Sequence, residues 1–200
     1  MNTLEAFNQA LFLMINAAPA TPPWLIGLAT VIADDLIYLI PVLLTGMWLS
    51  GSEAQRNLAL RACIVAMVAL GANQLIGLVW RHPRPFMIGL GHTFIAHAPD
   101  SSFPSDHATV FASLALTLLL GDARTLGGLT LLVGLAVAWA RVFLGVHFPL
   151  DMLGAVAVAC ATYVLIAPLW VLAGRAVTGI ITRIYRKLLA RPIASGWLRR

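Results

Sequence analysis

Long apolar stretches alternate with short polar breaks along most of this 200-residue chain. A helix of about 20 apolar residues crosses the hydrocarbon core of a bilayer. The breaks carry charged residues and prolines, and irregular backbone of that kind does not lie in lipid. The pattern predicts five membrane-spanning helices, at residues 24–50, 58–80, 105–121, 126–144 and 151–173. The predicted fold class is therefore all-α, a polytopic transmembrane helical bundle.

The two ends of the chain have a different pattern. Residues 2–17 place apolar side chains on one helical face and polar side chains on another, so they lie in the membrane interface or make a short, tilted crossing. Residues 175–200 are basic and amphipathic, which is typical of a tail on the bilayer surface. Because no repeat or long linker interrupts the chain, we expect a single membrane-embedded domain over 1–200. Its 1–23 part is the N-terminal interfacial segment and its 175–200 part is a cytoplasmic tail.

The composition excludes an ordinary soluble domain. Hydrophobic residues make up 60% of the chain, charged residues 10%, and the mean hydropathy is +0.88, whereas soluble domains are about 45–50% apolar. The net charge of +5 comes from basic residues beside the spans, where they meet anionic lipid rather than nucleic acid. Ten of the 13 Lys and Arg residues fall on the side of the tail. The positive-inside rule then directs the opposite helix ends to the periplasm or the cell exterior of a bacterium.

Chemically active side chains collect at those outward helix ends. All five histidines lie between residues 82 and 147. The second span delivers Arg84 to this surface, the third begins there at Ser105, the fourth ends there at Arg141, and the fifth begins there at Asp151. Four helix ends therefore bring the candidate residues to one depth.

The arginines and the start of the third helix suit a phosphate group. Arg84 and Arg141 can each hold phosphate oxygens in bidentate geometry. Ser105 and the free N–H groups of the first helical turn form an anion site. Asp106 is a further candidate at the phosphate site, or it caps or pairs locally. Arg81 either binds the second phosphate of a diphosphate or anchors to lipid headgroups.

Two histidines complete a site for phosphoryl transfer. His147 and Asp151 are four residues apart across a helix start, so the carboxylate can fix the imidazole tautomer and leave one nitrogen as a nucleophile. His107, on another helix, can protonate the departing oxygen. The expected intermediate is a phosphohistidine that water hydrolyses. No step requires a cofactor or a metal, and the residues predict a lipid-phosphate hydrolase.

The remaining polar residues are open to two interpretations. Asp34 and Asp35 interrupt the first span, where carboxylates are costly. Either one of them forms an ion pair with an arginine that only stabilises the fold, or one of them contacts a phosphate-binding arginine on the side away from the phosphate and holds it in place. For His82, His92 and His97 we favour residues of the interfacial belt.

These residues resemble the three motifs of the type 2 phosphatidic acid phosphatase superfamily, which are Lys-x6-Arg-Pro, Pro-Ser-Gly-His and Ser-Arg-x5-His-x3-Asp. Here the motifs read Arg84-Pro85, Pro104-Ser105-Asp106-His107 and Ala140-Arg141-x5-His147-x3-Asp151. The resemblance implies the same nucleophile, general acid and phosphate clamp. Three positions depart from the pattern: Gly77 replaces Lys, Asp106 replaces Gly, and Ala140 replaces Ser.

The whole chain also resembles the bacitracin-resistance branch of undecaprenyl-diphosphatases, through Asp106 and the Gly145-Val146-His147-x-Pro149-Leu150-Asp151 run. This resemblance implies a polyprenyl diphosphate substrate in the bacterial cytoplasmic membrane. It leaves the oligomeric state open. Other enzymes remain as alternatives, namely a phosphatase for phosphatidylglycerol phosphate, phosphatidic acid or a lipid A phosphate, and a lipid phosphotransferase. A lipid transporter is the alternative outside the enzymes, because Asp34 and Asp35 could line a path.

Overall fold

The computed structural model describes residues 3–198, and every regular element in that range is helical. The helices are α1 Thr3–Ile15, α2 Pro23–Asp34, α3 Leu39–Ser50, α4 Glu53–Val79, α5 Asp106–Leu119, α6 Arg124–Phe143, α7 Pro149–Leu188 and α8 Ala190–Ala194. Two short 3₁₀ turns, Leu36–Tyr38 and Pro85–Ile88, follow α2 and α4. The prediction of an all-α membrane bundle is confirmed.

The short helix α5 lies at the centre of the bundle, packed against α4, α6 and α7. Its Leu114 and Leu118 side chains are fully buried, and Phe111 is nearly so. Gly134 of α6 faces Phe111, where any larger residue would collide with the Cβ of the phenylalanine. The two helices therefore pack closely along the middle of the bundle.

The predicted number of spans is wrong by one. Among the described residues, four helical stretches are long and apolar enough to cross a membrane: 23–50, 53–79, 124–143 and 149–188. The predicted span at 105–121 is only the 14-residue helix α5, which is about 21 Å long, against roughly 30 Å of hydrocarbon. Because three helices surround α5, protein rather than lipid covers most of its length.

The first span is interrupted where its two aspartates occur. α2 ends at Asp34, a 3₁₀ turn follows, and α3 continues from Leu39. Ala29 and Ala33 of α2 are fully buried in a cluster that includes Ala140 of α6. This contact brings the end of α2 beside the end of α6.

The last helix does not stop at the predicted boundary near residue 173. α7 continues without a break to Leu188, although it contains Pro168. Asn57 of α4 explains the continuation, because its Nδ2 donates to the Gly174 carbonyl at 3.2 Å and to the Thr178 hydroxyl at 2.9 Å. Residues 174–188 therefore extend the bundle instead of forming a separate surface segment.

The N-terminal helix α1 supports the loop that follows α6. Its Phe12 is fully buried and packs edge-on against Phe148, with 5.4 Å between ring centroids. Asn8 accepts a hydrogen bond from the Leu150 N–H at 3.1 Å. α1 thereby holds the start of α7 in place.

Candidate active site

A cavity of about 320 Å³ lies where α4 and α6 end and where α5 and α7 begin. The loop between α4 and α5 covers one side of it. Six of the eight residues predicted for the site line this cavity: Arg81, Arg84, Asp106, His107, Arg141 and His147. The other two, Ser105 and Asp151, are buried behind its wall.

His147 and Asp151 form a buried pair at the start of α7. The His147 Nδ1–H donates to Oδ2 of Asp151 at 3.2 Å, and the Phe148 N–H donates to the same oxygen at 2.8 Å. With the proton on Nδ1, Nε2 carries the lone pair, which can accept a hydrogen bond or attack an electrophile. Burial lowers the pKa of His147 to about 4, although the hydrogen bond and charge of Asp151 oppose this shift. The imidazole is therefore neutral at pH 7.

A tight turn presents His147 to the cavity. Gly145 has φ +86°, and a Cβ at this position would collide with the carbonyl of His92. A residue with a side chain is disfavoured in this conformation. The turn closes with a hydrogen bond from the Val146 N–H to the Arg141 carbonyl at 3.1 Å.

Ser102 is a member of the site that the sequence alone did not reveal. Its hydroxyl donates to Oδ2 of Asp151 and lies 3.4 Å from Nδ1 of His147, and the residue is fully buried. Its own N–H donates to the His82 carbonyl at 2.8 Å. The only indication in the sequence is that Ser102 lies just before the second motif. No sequence pattern shows that a serine in this loop contacts a carboxylate of α7.

Arg84 contacts the nucleophilic face of His147. Its Nη1 donates to Nε2 of His147 at 3.0 Å and to the Val146 carbonyl at 2.8 Å. Its Nε donates to Asp100 at 2.8 Å. Partial burial raises the pKa of Asp100, but the hydrogen bond and charge of Arg84 outweigh burial and hold that pKa below its ordinary value. An ionised Asp100 thus orients Arg84.

Arg141, in the last turn of α6, is 3% exposed and donates from Nη1 to Asp34 at 3.1 Å. Asp34 is thus the aspartate that pairs with an arginine, a contact that both interpretations of the helix break predicted. Within residues 3–198, the Nε of Arg141 is buried without an acceptor, so it is not the donor that meets a ligand. Arg141 lines the cavity, and its remaining donors are the ones that can meet an anion there.

The start of α5 differs in part from the predicted anion site. The Ser105 hydroxyl accepts from the Ala108 N–H at 3.5 Å, so it caps α5 instead of facing the cavity. Asp106 accepts from Asn73 at 2.8 Å and from Gln74 at 3.1 Å. Both carboxylate oxygens contact α4, so Asp106 links the two helices, as the local-pairing interpretation expected. Asp106 also lines the cavity.

The histidines divide into two groups. His107 lines the cavity, and the described residues offer its ring no hydrogen bond, which leaves it accessible to a substrate oxygen. His97, expected in the interfacial belt, also lines the cavity, with its ring centroid 6.1 Å from that of His147. Burial lowers the pKa of His97, so this ring is neutral. In the second group, Nε2 of His82 lies 3.3 Å from Oε2 of Glu5 of α1. His92 is exposed and lies outside the cavity.

These groups define a membrane-embedded phosphatase: a neutral imidazole whose Nε2 carries the lone pair, a second imidazole and two guanidinium groups at one end of a helical bundle. The family profile of the PAP2 superfamily matches residues 58–187, which include every residue of the cavity. The chain belongs to this superfamily.

Individual relatives agree with that assignment. The chain is 40% identical over 196 residues to YbjG of Escherichia coli (strain K12), a provisionally named undecaprenyl-diphosphatase, covering 98% of this chain and 99% of that one. It is 34% identical over 152 residues to the undecaprenyl-diphosphatase BcrC of Bacillus subtilis (strain 168), covering 76% and 78%. The crystal structure of Aquifex aeolicus LpxE has the same fold, with a TM-score of 0.63 and 20% identity over 80% of this chain and 93% of that one.

Proposed function

We propose that this protein hydrolyses undecaprenyl diphosphate to undecaprenyl phosphate and inorganic phosphate. The observation that carries the proposal is the neutral His147, which lines the cavity and whose Nε2 lies 3.0 Å from Nη1 of Arg84. The names of YbjG and BcrC support the choice of lipid. Hydrolysis of this diphosphate returns the lipid carrier for wall synthesis. It also removes the molecule that bacitracin sequesters, so the activity gives bacitracin resistance.

The first chemical step is the attack of His147 Nε2 on the terminal phosphorus. The new N–P bond replaces the bond from phosphorus to the bridging oxygen. In the empty site His107 is neutral, because burial and the neighbouring positive charges lower its pKa to about 3; the negative charge of the bound diphosphate raises that pKa, so the ring takes up a proton from solvent when substrate binds. His107 then donates this proton to the bridging oxygen as undecaprenyl phosphate leaves. The imidazole keeps its Nδ1 proton, and the positive charge that develops on the ring is stabilised by Asp151. The product of this step is a phosphohistidine.

The second step is hydrolysis of the phosphohistidine. His107, now neutral, accepts a proton from water while the water oxygen attacks phosphorus. The N–P bond breaks, its electron pair returns to Nε2, and inorganic phosphate is released. Both histidines then have their starting protonation states.

The arginines bind the terminal phosphate during both steps. Arg84 already contacts Nε2 of His147, so an entering phosphate oxygen takes over this Nη1 donor and brings phosphorus to the nucleophile. Arg141, held by Asp34, neutralises a second non-bridging oxygen. Arg81, exposed at the cavity wall, binds the phosphate that stays with the lipid. Ser105 contributes by capping α5, whose first N–H groups point to the anion.

We also place the active site on the outer face of the bacterial cytoplasmic membrane. The cavity lies at the helix ends opposite the basic tail, because α4 and α7 run from one end of the bundle to the other. The excess of arginines at the tail end supports a cytoplasmic tail. A non-permeant thiol reagent applied to intact cells tests this: a cysteine introduced at position 98 in the exposed outer loop reacts, and one at position 191 does not.

Phosphate release from a panel of lipids tests the activity. Detergent-purified protein is assayed with undecaprenyl diphosphate, phosphatidylglycerol phosphate and phosphatidic acid, with a chelator present. We expect the highest kcat/KM for the diphosphate and no loss of rate on chelation. A higher kcat/KM for either monoester would overturn the proposed substrate, and His147→Ala serves as the inactive control.

A further inference from the structure

A second cavity, of about 730 Å³, lies at the opposite end of the bundle from the active site. Its walls come from the start of α4, the end of α5 and the last turns of α7. Asn57 lines this cavity and Asn73 lines the active site, and roughly 24 Å of helix α4 separates them. The two cavities therefore open at different membrane faces.

The second cavity is positively charged. Four arginines and two carboxylates line it, an excess of two positive charges: Arg61, Arg175, Arg183, Arg186, Glu53 and Asp122. Arg186 pairs with Glu53 at 3.1 Å. Among the described residues, no ion pair engages Arg61, Arg175 or Arg183.

Two of these arginines have unused buried donors. Within residues 3–198, the Nε atoms of Arg61 and Arg186 are buried and have no acceptor. The guanidinium of Arg61 stacks on Tyr163, 4.6 Å from the ring centroid, which fixes its plane. These two Nε atoms are closed off from the cavity and do not themselves meet a ligand. Because Arg61, Arg175 and Arg183 line the cavity with no carboxylate partner among the described residues, an anion is the ligand that compensates their charge.

The remaining walls indicate an amphiphilic anion. Thr178 and Thr182 contribute buried polar side chains, and Leu58 and Leu120 contribute apolar ones. Leu120 is 61% exposed, on a bundle whose outer surface is apolar. A phosphate joined to acyl chains can contact the arginines and the exposed leucine together, whereas free phosphate uses the arginines alone.

We propose that this cavity binds the headgroup phosphate of an anionic two-chain phospholipid from the leaflet opposite the active site. Arg61, Arg175 and Arg183 donate hydrogen bonds to the phosphate oxygens, and the acyl chains lie against the apolar surface near Leu120. The bound lipid joins α4 to the last turns of α7. The proposal is independent of the substrate of the active site.

Native mass spectrometry in a zwitterionic detergent tests the proposal. The probes are phosphatidylglycerol, phosphatidylcholine and inorganic phosphate. The test variant is Arg175→Gln/Arg183→Gln, because both side chains are exposed and neither is required for packing. The matched control is Arg124→Gln/Arg191→Gln, which removes the same charge at exposed positions on the same membrane face but outside the cavity. Melting temperatures verify that all proteins are folded.

We expect one tightly retained phosphatidylglycerol per wild-type chain, with about a tenfold or greater loss of affinity in the test variant and no such loss in the control. Equal retention by the two variants would overturn the proposal. Equal retention of phosphatidylcholine would also overturn it, because it would show no recognition of negative charge. Displacement of the lipid by millimolar inorganic phosphate would assign the cavity to free phosphate instead.

Discussion

Arg84 donates a hydrogen bond from Nη1 to Nε2 of His147 across 3.0 Å, so the phosphate clamp and the nucleophile already meet before substrate binds. The same Nη1 is fixed by the Val146 carbonyl, and Nε is fixed by Asp100. The guanidinium therefore cannot swing away, and an entering phosphate oxygen must replace the imidazole as its acceptor. Binding of the substrate phosphate to Arg84 therefore also frees the lone pair of His147 Nε2 for attack.

A covalent phosphoenzyme is the first prediction. Protein mixed with substrate labelled at the terminal phosphate and quenched in base should carry label that acid releases, because phosphohistidine is stable in base and labile in acid. Peptide mapping should locate the label at His147. His147→Ala should lose the label and at least roughly 10³-fold in kcat. His92→Ala is the control, since this exposed ring lies outside the cavity; label that survives His147→Ala would contradict the mechanism.

The contact between Asp34 and Arg141 gives a second prediction. Asp34→Asn removes the charge that holds Arg141 and should lower kcat/KM about tenfold, mainly through KM, because a hydrogen bond between charged groups is lost. Asp35→Asn is a closely matched control. Asp35 is adjacent and exposed, and its side chain makes no hydrogen bond with the described residues.

Steady-state kinetics on the two variants tests whether Asp34 acts by positioning Arg141. Similar losses of kcat/KM in both variants would indicate that negative charge between α2 and α3 is required, and not the specific contact with Arg141. An unchanged kcat/KM in Asp34→Asn would remove Asp34 from the site.

The sequence predicted the site better than it predicted the bundle. Arg84, Arg141, His107 and His147 were found because each lies at a helix end, and the apolar pattern determines to which membrane face a helix end belongs. The length of α5 was not predictable in this way. Hydropathy measures apolar character and does not distinguish a helix surrounded by protein from one surrounded by lipid.

Long-range partners were the other gap. Ser102 joins the His147 pair from a loop, and Asn73 joins Asp106 from α4. Neither pairing leaves a periodic pattern in the sequence, because each depends on how distant segments of the chain pack in the folded bundle. Asp34 was suspected only because a carboxylate within a span is costly, and the sequence could not choose between it and Asp35.

Ser102 supplies a third prediction. Ser102→Ala removes one of the donors to Asp151, so the carboxylate becomes more basic and the pKa of His147 rises. We expect kcat to fall about tenfold while KM stays nearly constant, and the acid limb of the pH profile to move to higher pH. A purely structural role would not move that limb.

Ser113→Ala is the matched control for Ser102→Ala. Ser113 is also fully buried, but within the described residues its hydroxyl has no hydrogen-bond partner. Removal of this hydroxyl should leave both kinetic constants unchanged. An equal fall in kcat for both serine variants would show that loss of a buried hydroxyl, not the contact with Asp151, causes the effect.

The pH dependence of kcat/KM is the fourth prediction. A protonated imidazole has no lone pair for phosphorus, so activity should disappear as the pH falls through the pKa of His147, which burial lowers to about 4 from the ordinary 6.5. Activity should therefore persist well below pH 6.5. Substrate ionisation is measured separately by phosphorus NMR, and enzyme returned from low to neutral pH should recover its full rate. After correction for the substrate, an acid limb near 6.5 would mean that the imidazole is solvated, and the buried pair with Asp151 would not be the reacting group.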